Sequence, residues 1–117
     1  MTEPEVVAVE RQGNDVQLKL KVPADLSWFD GHFAELRLLP GVVQTTWVVQ
    51  FARQYFPLPG PFRYMSNMKF MRLILPDAQL ELRLRYVADK QELAFEYFED
   101  AKICASGRMG FGAPLPA

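Results

Sequence analysis

One long helix is predicted by the stretch from Pro40 to Phe56, PGVVQTTWVVQFARQYF. Proline is tolerated in the first turn of a helix, and the next proline, Pro57, stops it. The apolar side chains are spread around most of the circumference, which is typical of a buried helix. They are Val42, Val43, Trp47, Val48, Val49, Phe51, Ala52, Tyr55 and Phe56. The rest of the chain is therefore expected to fold around this single helix.

Short strands are predicted on both sides of the helix. Val16 to Val22 alternates apolar and polar residues, the period of a strand with one buried face. The turn residues Gly-Asn-Asp at 13–15 join it to an earlier strand as a hairpin. The predicted strand segments are 5–10, 16–22, 62–75, 79–87, 92–98 and 101–111. A hairpin, one buried helix and several antiparallel strands indicate an α+β domain whose sheet wraps around the helix.

Length and composition predict a single domain, residues 1–117. Half of the residues are hydrophobic and the formal net charge is −1, with no basic run of the kind that binds nucleic acid. No apolar run approaches the roughly 18 residues needed to span a membrane. Residues 1–10 carry acids and no apolar signal segment, so the protein is expected in the cytoplasm.

The lone cysteine, Cys104, can form neither a disulfide framework nor a metal site by itself. It stands between apolar neighbours in a predicted strand, where a free cysteine is usually a small buried residue. Neither a metal nor an organic cofactor is expected.

The only histidine, His32, lies in a predicted loop with the sequence DGHF, residues 30–33. Its imidazole can accept a proton near neutral pH. Gly41 opens the helix a short distance along the chain, and a helix start offers free N–H groups to a carbonyl oxygen. A base beside such donors is the minimum for removing a proton α to a carbonyl. The alternative is that His32 only packs or caps its loop.

Two separated motifs resemble the 3-hydroxyacyl-acyl-carrier-protein dehydratases. Residues 31–33, Gly-His-Phe, and residues 40–42, Pro-Gly-Val, have the sequence and spacing of that family's signature. Lys69-Phe70 and residues 75–80, LPDAQL, are similar to its later strand segment. The resemblance implies a hot-dog fold, in which the sheet wraps around one central helix. Residues 44–47, QTTW, also resemble the dehydratase-like proteins of aryl-polyene and related pigment clusters.

The resemblance implies specific roles. His32 would be the base at C2 of a 3-hydroxyacyl thioester, the Gly41 N–H would hold the thioester oxygen, and the Val42 carbonyl would orient the imidazole. Substrate contacts are expected from Phe33, Val42, Trp47 and Phe70. Trp47 can equally be a core residue, and Met65, Met68 and Met71 can either line an acyl tunnel or fill gaps.

The chain departs from the family at the helix acid. Thr46 stands where the family has Glu or Asp, and a hydroxyl is no acid at neutral pH. Thr46 could still donate a hydrogen bond or hold a water at the site. Asp30 and Glu35 are the nearby alternatives. Ala34-Glu35 and Arg37 also replace residues of the family's loop.

The leading hypothesis is a 3-hydroxyacyl thioester dehydratase that forms trans-2-enoyl thioesters in fatty-acid or related polyene biosynthesis. Its substrate would be carried by acyl carrier protein or by coenzyme A. Two alternatives stay open: a thioesterase, and a catalytically impaired subunit that binds acyl carrier or pairs with an active homologue. The family's site is shared between two chains, so a homodimer is expected, with a heterodimer as the alternative.

Overall fold

One helix and a six-stranded antiparallel sheet make up residues 3–24 and 39–112, the part of the chain that the computed structural model describes. The elements are β1 (Glu5–Gln12), β2 (Asp15–Lys21), α1 (Gly41–Tyr55), β3 (Phe62–Phe70), β4 (Gln79–Val87), β5 (Glu92–Glu99) and β6 (Lys102–Phe111). The strands lie in the order β1-β2-β4-β5-β6-β3. The predictions for Asp30, His32, Phe33, Glu35 and Arg37 fall outside the described residues.

The inner face of the sheet is formed by alternating apolar residues, as the period of two predicts. Across β2 and β4, Val16 pairs with Leu84, Leu18 with Leu82 and Leu20 with Leu80. All six side chains are buried and form one core with the helix. The hairpin predicted at 13–15 joins β1 to β2, with Gly13 at a φ of +59°. These features confirm the predicted α+β arrangement.

The prediction of a continuous strand over 62–75 is wrong beyond Phe70, where β3 ends. The amides of Met71 and Arg72 both donate to the Cys104 carbonyl, at 2.7 and 3.1 Å, so the chain leaves the regular ladder there. Asp77 then adopts a positive φ of 65° in the turn that leads to β4. The apolar residues between β3 and β4 have the sequence pattern of a strand, but the backbone there does not form a regular ladder.

The helix α1 has two different faces. Its covered face packs in the core and consists of Val43, Gln44, Thr45, Trp47, Val48, Phe51 and Ala52. Its open face is exposed and consists of Val42, Thr46, Gln50, Arg53 and Gln54. The expectation of burial all round is therefore wrong for the single chain, because the sheet covers one side and the residues on the other side are mostly polar.

Cys104 is fully buried, and burial raises the pKa of its thiol. This confirms the prediction of a structural strand residue. Within the described ranges, no helix has the length and apolar character that a membrane crossing requires.

Candidate active site

The first N–H groups of α1, those of Gly41 and Val42, form what we call the amide end. Pro40 precedes them in an extended conformation and gives the helix no side-chain cap. The Pro40 carbonyl oxygen accepts hydrogen bonds from the backbone nitrogens of Val43 and Gln44, each at 3.1 Å. Within the described residues the two earlier amides have no backbone acceptor, and the first turn carries no acid. The amide end can therefore donate hydrogen bonds to an oxygen that gains negative charge.

Phe70 packs directly on Gly41. A Cβ added to Gly41 would lie 2.9 Å from Cζ and 3.0 Å from Cε1 of the Phe70 ring. The ring is half-exposed, so it stands between the start of the helix and the solvent. A methyl group at position 41 would therefore require the Phe70 ring to move, and the tertiary structure brings together two residues that the motifs predicted separately.

The site role predicted for Thr46 stays a prediction, and its hydroxyl is no acid at neutral pH. Thr46 lies on the open face, and its Oγ1 donates to the Val42 carbonyl at 2.7 Å, which occupies its only proton. Thr45 Oγ1 donates to the same carbonyl at 3.0 Å. The Val42 carbonyl thus accepts hydrogen bonds from two hydroxyl groups. Its predicted role in orienting His32 stays a prediction.

No other residue of α1 supplies a carboxylate, because the sequence from Gly41 to Tyr55 contains neither Asp nor Glu. Two cations, Lys69 and Arg72, are close to Phe70 in sequence. Neither takes part in an ion pair within the described part of the chain. The described part of the site therefore has hydrogen-bond donors, but α1 supplies no acid.

Gln44 is a residue of this region that the sequence analysis quoted only as part of the motif at 44–47 and to which it gave no role. Its side chain is only 4% exposed, and its Nε2 donates to the Leu39 carbonyl at 3.1 Å. The buried Tyr97 hydroxyl donates to the Gln44 main-chain oxygen at 2.7 Å. Burial raises the pKa of Tyr97, so this hydroxyl stays a donor. The available signal was a glutamine among apolar residues on the predicted helix.

The structure separates the other predicted substrate contacts. Trp47 is 1% exposed and belongs to the core, whereas Val42 is 72% exposed on the open face. Met68 packs against the core, and Met65 and Met71 are about half-exposed, at 48% and 47%. A substrate role for Trp47 stays a prediction that would require the acyl chain to reach the core.

The edge strand β3 lies beside this site. It pairs with β6 on one side, and its other edge has no strand within the described residues. Its side chains are mostly exposed and include several apolar ones: Phe62, Tyr64, Met65 and Phe70. A long apolar edge strand is a ready surface for pairing with another chain.

An antiparallel sheet packed on one central helix defines the hot-dog class, and solved structures of that class match this chain. The family model for ApeI-like proteins, described as ApeI dehydratase, matches residues 8–108. The chain therefore belongs to the ApeI-like dehydratase family, as the motifs in residues 31–47 predicted.

Individual relatives agree with this assignment. The dehydratase heterocomplex ApeI:P from Xenorhabdus doucetiae is 27% identical with a TM-score of 0.89, covering 95% of this chain and 99% of that one. A crystal structure from Erwinia carotovora subsp. atroseptica is 34% identical with a TM-score of 0.83, covering 97% and 98%.

Among curated enzymes, the 3-hydroxyacyl-[acyl-carrier-protein] dehydratase FabZ of Tolumonas auensis is 32% identical over 76 residues. The match covers 57% of this chain, and it spans about half of that enzyme's length, 50%. Thioesterase superfamily member 2 from Mus musculus is 16% identical with a TM-score of 0.71, covering 92% of this chain and 87% of that one, which shows the fold alone.

Proposed function

We propose that this chain acts in the cytoplasm as a subunit of a 3-hydroxyacyl thioester dehydratase, which removes water to form a trans-2-enoyl thioester. The observation that carries the proposal is the open amide end of α1, packed against Phe70, in a chain of the ApeI-like family. The Gly41 N–H would donate to the thioester oxygen as charge develops there, and His32 would take the proton from C2.

The departing hydroxyl needs a proton that α1 cannot give. Thr46 has its proton engaged, and the helix has no carboxylate. We therefore propose that the acid comes from the corresponding helix of a homologous partner subunit. The open face with Val42 and Thr46, together with the edge of β3, is the surface that such a partner would cover. The existence of a dehydratase heterocomplex among the similar structures supports this arrangement.

The substrate carrier is proposed to present a phosphate-bearing arm. Lys69 and Arg72 are close to Phe70 in sequence and form no ion pair within the described residues, and they would attract such a group. Acyl carrier protein and coenzyme A share this arm, so assays with both carriers are needed to tell which of them the protein uses.

Restoring the acid tests this proposal. Purified wild-type chain and the Thr46→Glu variant are given 3-hydroxyacyl thioesters, and trans-2-enoyl product is measured by its ultraviolet absorbance. A positioned general acid typically contributes about 10²–10⁴-fold, so Thr46→Glu should exceed the wild type by a factor in this range. Thr46→Gln, of the same shape without the acid, should not.

A second variant and a mixture complete the test. His32→Ala in the Thr46→Glu background should abolish turnover. Wild-type chain mixed with a homologue that has the helix acid should be active without any substitution. No turnover by Thr46→Glu and none by the mixture would reject the dehydratase proposal, and release of free thiol without enoyl product would identify hydrolysis instead.

A further inference from the structure

We propose that Gln44 is a positioning residue of the thioester site, holding the amide end of α1 in its donating geometry through Leu39. The inference rests on the proposed function, because it assigns a task to a residue behind the same site. Gln44 itself faces the core, so it acts through the backbone that leads into Gly41.

A chain of buried hydrogen bonds carries the inference. Tyr97 on β5 donates to the Gln44 main-chain oxygen at 2.7 Å, and Gln44 Nε2 donates to the Leu39 carbonyl at 3.1 Å. The Leu39 N–H in turn donates to the Ile74 carbonyl at 2.7 Å. Leu39 and Ile74 are 2% and 0% exposed, so this series of hydrogen bonds runs through the interior from the sheet to the connection after β3. It fixes the residue that directly precedes Pro40 and Gly41.

The second observation is an unpaired atom. Gln44 Oε1 is buried and has no hydrogen-bond partner within the described part of the chain. A buried acceptor without a partner costs free energy, and an apolar residue of similar size would avoid that cost. Local departures from good packing concentrate at functional sites. The unpaired Oε1 is thus the cost of placing Nε2 against the Leu39 carbonyl.

The benefit of this contact lies in preorganisation. Donors that already point at a developing charge need no reorganisation during the reaction, which is the main source of oxyanion stabilisation. Leu39 precedes Pro40, whose carbonyl closes the first turn with Val43 and Gln44. The hydrogen bond from Gln44 fixes Leu39 on its core side and thereby the direction of the Gly41 N–H. The Phe70 ring packs on Gly41 on the solvent side.

The test uses Gln44→Met, which keeps the side-chain volume and removes both the Nε2 donor and the unpaired Oε1. The probe is a trans-2-enoyl coenzyme A labelled with ¹³C at the thioester carbonyl, and infrared difference spectra report how far binding lowers the carbonyl stretching frequency. We expect the wild-type shift to fall by about half or more in Gln44→Met. The melting temperature should change little, because removal of the unpaired Oε1 offsets the loss of the donor to the Leu39 carbonyl.

Controls separate the possible results. Gln17→Met, the same change at an exposed position of β2, should keep the full frequency shift. Gln44→Asn keeps an amide but is too short to reach Leu39, so it should also lose about half or more of the frequency shift. It replaces Gln44→Met in the test if that variant does not fold. In the active pair of subunits, kcat should fall about 3–10-fold with KM little changed, the size of one lost hydrogen bond.

Two results would overturn the inference while sparing the proposed function. One is a full carbonyl shift in Gln44→Met or Gln44→Asn. The other is a fall in melting temperature with a proportional loss of shift, which would identify Gln44 as a structural residue only. A wild-type chain that binds the probe without any shift would instead count against the oxyanion site of the proposed function.

Discussion

The two faces of α1 have different tasks, although they alternate along the same fifteen residues. On the covered face, Trp47 and Val48 are 1% and 0% exposed and join the apolar side chains of the sheet. On the open face, Val42 is 72% exposed and the Thr46 hydroxyl donates within its own helix. The covered face therefore stabilises the fold of one chain, and the open face is free to meet another molecule.

This contrast explains how the chain can lose an acid without losing its fold. A change from a carboxylate to Thr46 lies on the open face, where it alters chemistry and leaves the core packing unchanged. Gln44, which we propose holds the amide end, and its partner Tyr97 lie on the covered side and are tied into the core. The proposed chemistry and the structural support are thus separated by half a turn of helix.

The largest expected effect compares neighbouring residues on the two faces. Trp47→Ala should lower the free energy of unfolding by about 3–5 kcal/mol, because it leaves a cavity in the core. Thr46→Ala should stay within about 0.5 kcal/mol of the wild type, as exposed substitutions usually do. Urea unfolding of both variants measures the difference. Similar values for the two would mean that the faces are not distinct.

The next largest effect is expected at the start of α1, where Gly41 contacts Phe70. Gly41→Ala should cost about 1–3 kcal/mol, because its methyl group would overlap the Phe70 ring. The double variant Gly41→Ala/Phe70→Ala should recover most of that loss relative to Phe70→Ala alone, which a double-mutant cycle on unfolding free energies would show. Additive effects would indicate that the ring does not pack on Gly41.

A smaller effect is expected for the link between the helix and β5. Tyr97→Phe removes the hydroxyl that donates to the Gln44 oxygen and keeps the ring in place. The loss should be about 1 kcal/mol, the net value of a typical hydrogen bond. Thermal unfolding measures it, and Tyr86→Phe serves as the control because no hydrogen bond is described for its hydroxyl. Equal changes in both variants would show that the Tyr97 bond contributes nothing specific.

The smallest effect comes from the outer surface of the sheet. Arg85 Nε donates to Asp15 at 2.7 Å, and this hydrogen bond and charge lower the pKa of the Asp15 carboxyl. A lowered folded-state pKa stabilises the protein above the ordinary value of 3.8, and that stabilisation is lost as pH falls below it. Because the pair is exposed, the contribution should be less than about 1 kcal/mol.

Unfolding of the wild type and Asp15→Asn as a function of pH checks this. The stability difference between them should be constant near neutral pH and shrink in acid. A difference that grows as pH falls would have the wrong sign for a carboxylate held by Arg85.

The sequence anticipated the helix closely, from the Pro40-Gly41 start to an end within a residue of Phe56, because proline and apolar spacing are local signals. It was less successful with 62–75, where an apolar pattern continued after the ladder had ended. It also expected a helix buried all round, since apolar content does not say how much surface a sheet can cover. For the site, it selected Gly41, Thr46 and Phe70 by motif, and it quoted Gln44 only as part of the motif at 44–47, without the role that we propose for it.

The sequence by itself determined the class of this protein: the spacing of its motifs, the alternation of its strands and the single helix are all readable along the chain. The tertiary structure alone decided that Phe70 lies on Gly41, that Tyr97 and Leu39 meet at Gln44, and that Thr46 directs its proton back into the helix. These contacts depend on how distant segments pack and on which rotamer each side chain adopts, and neither is encoded in local periodicity.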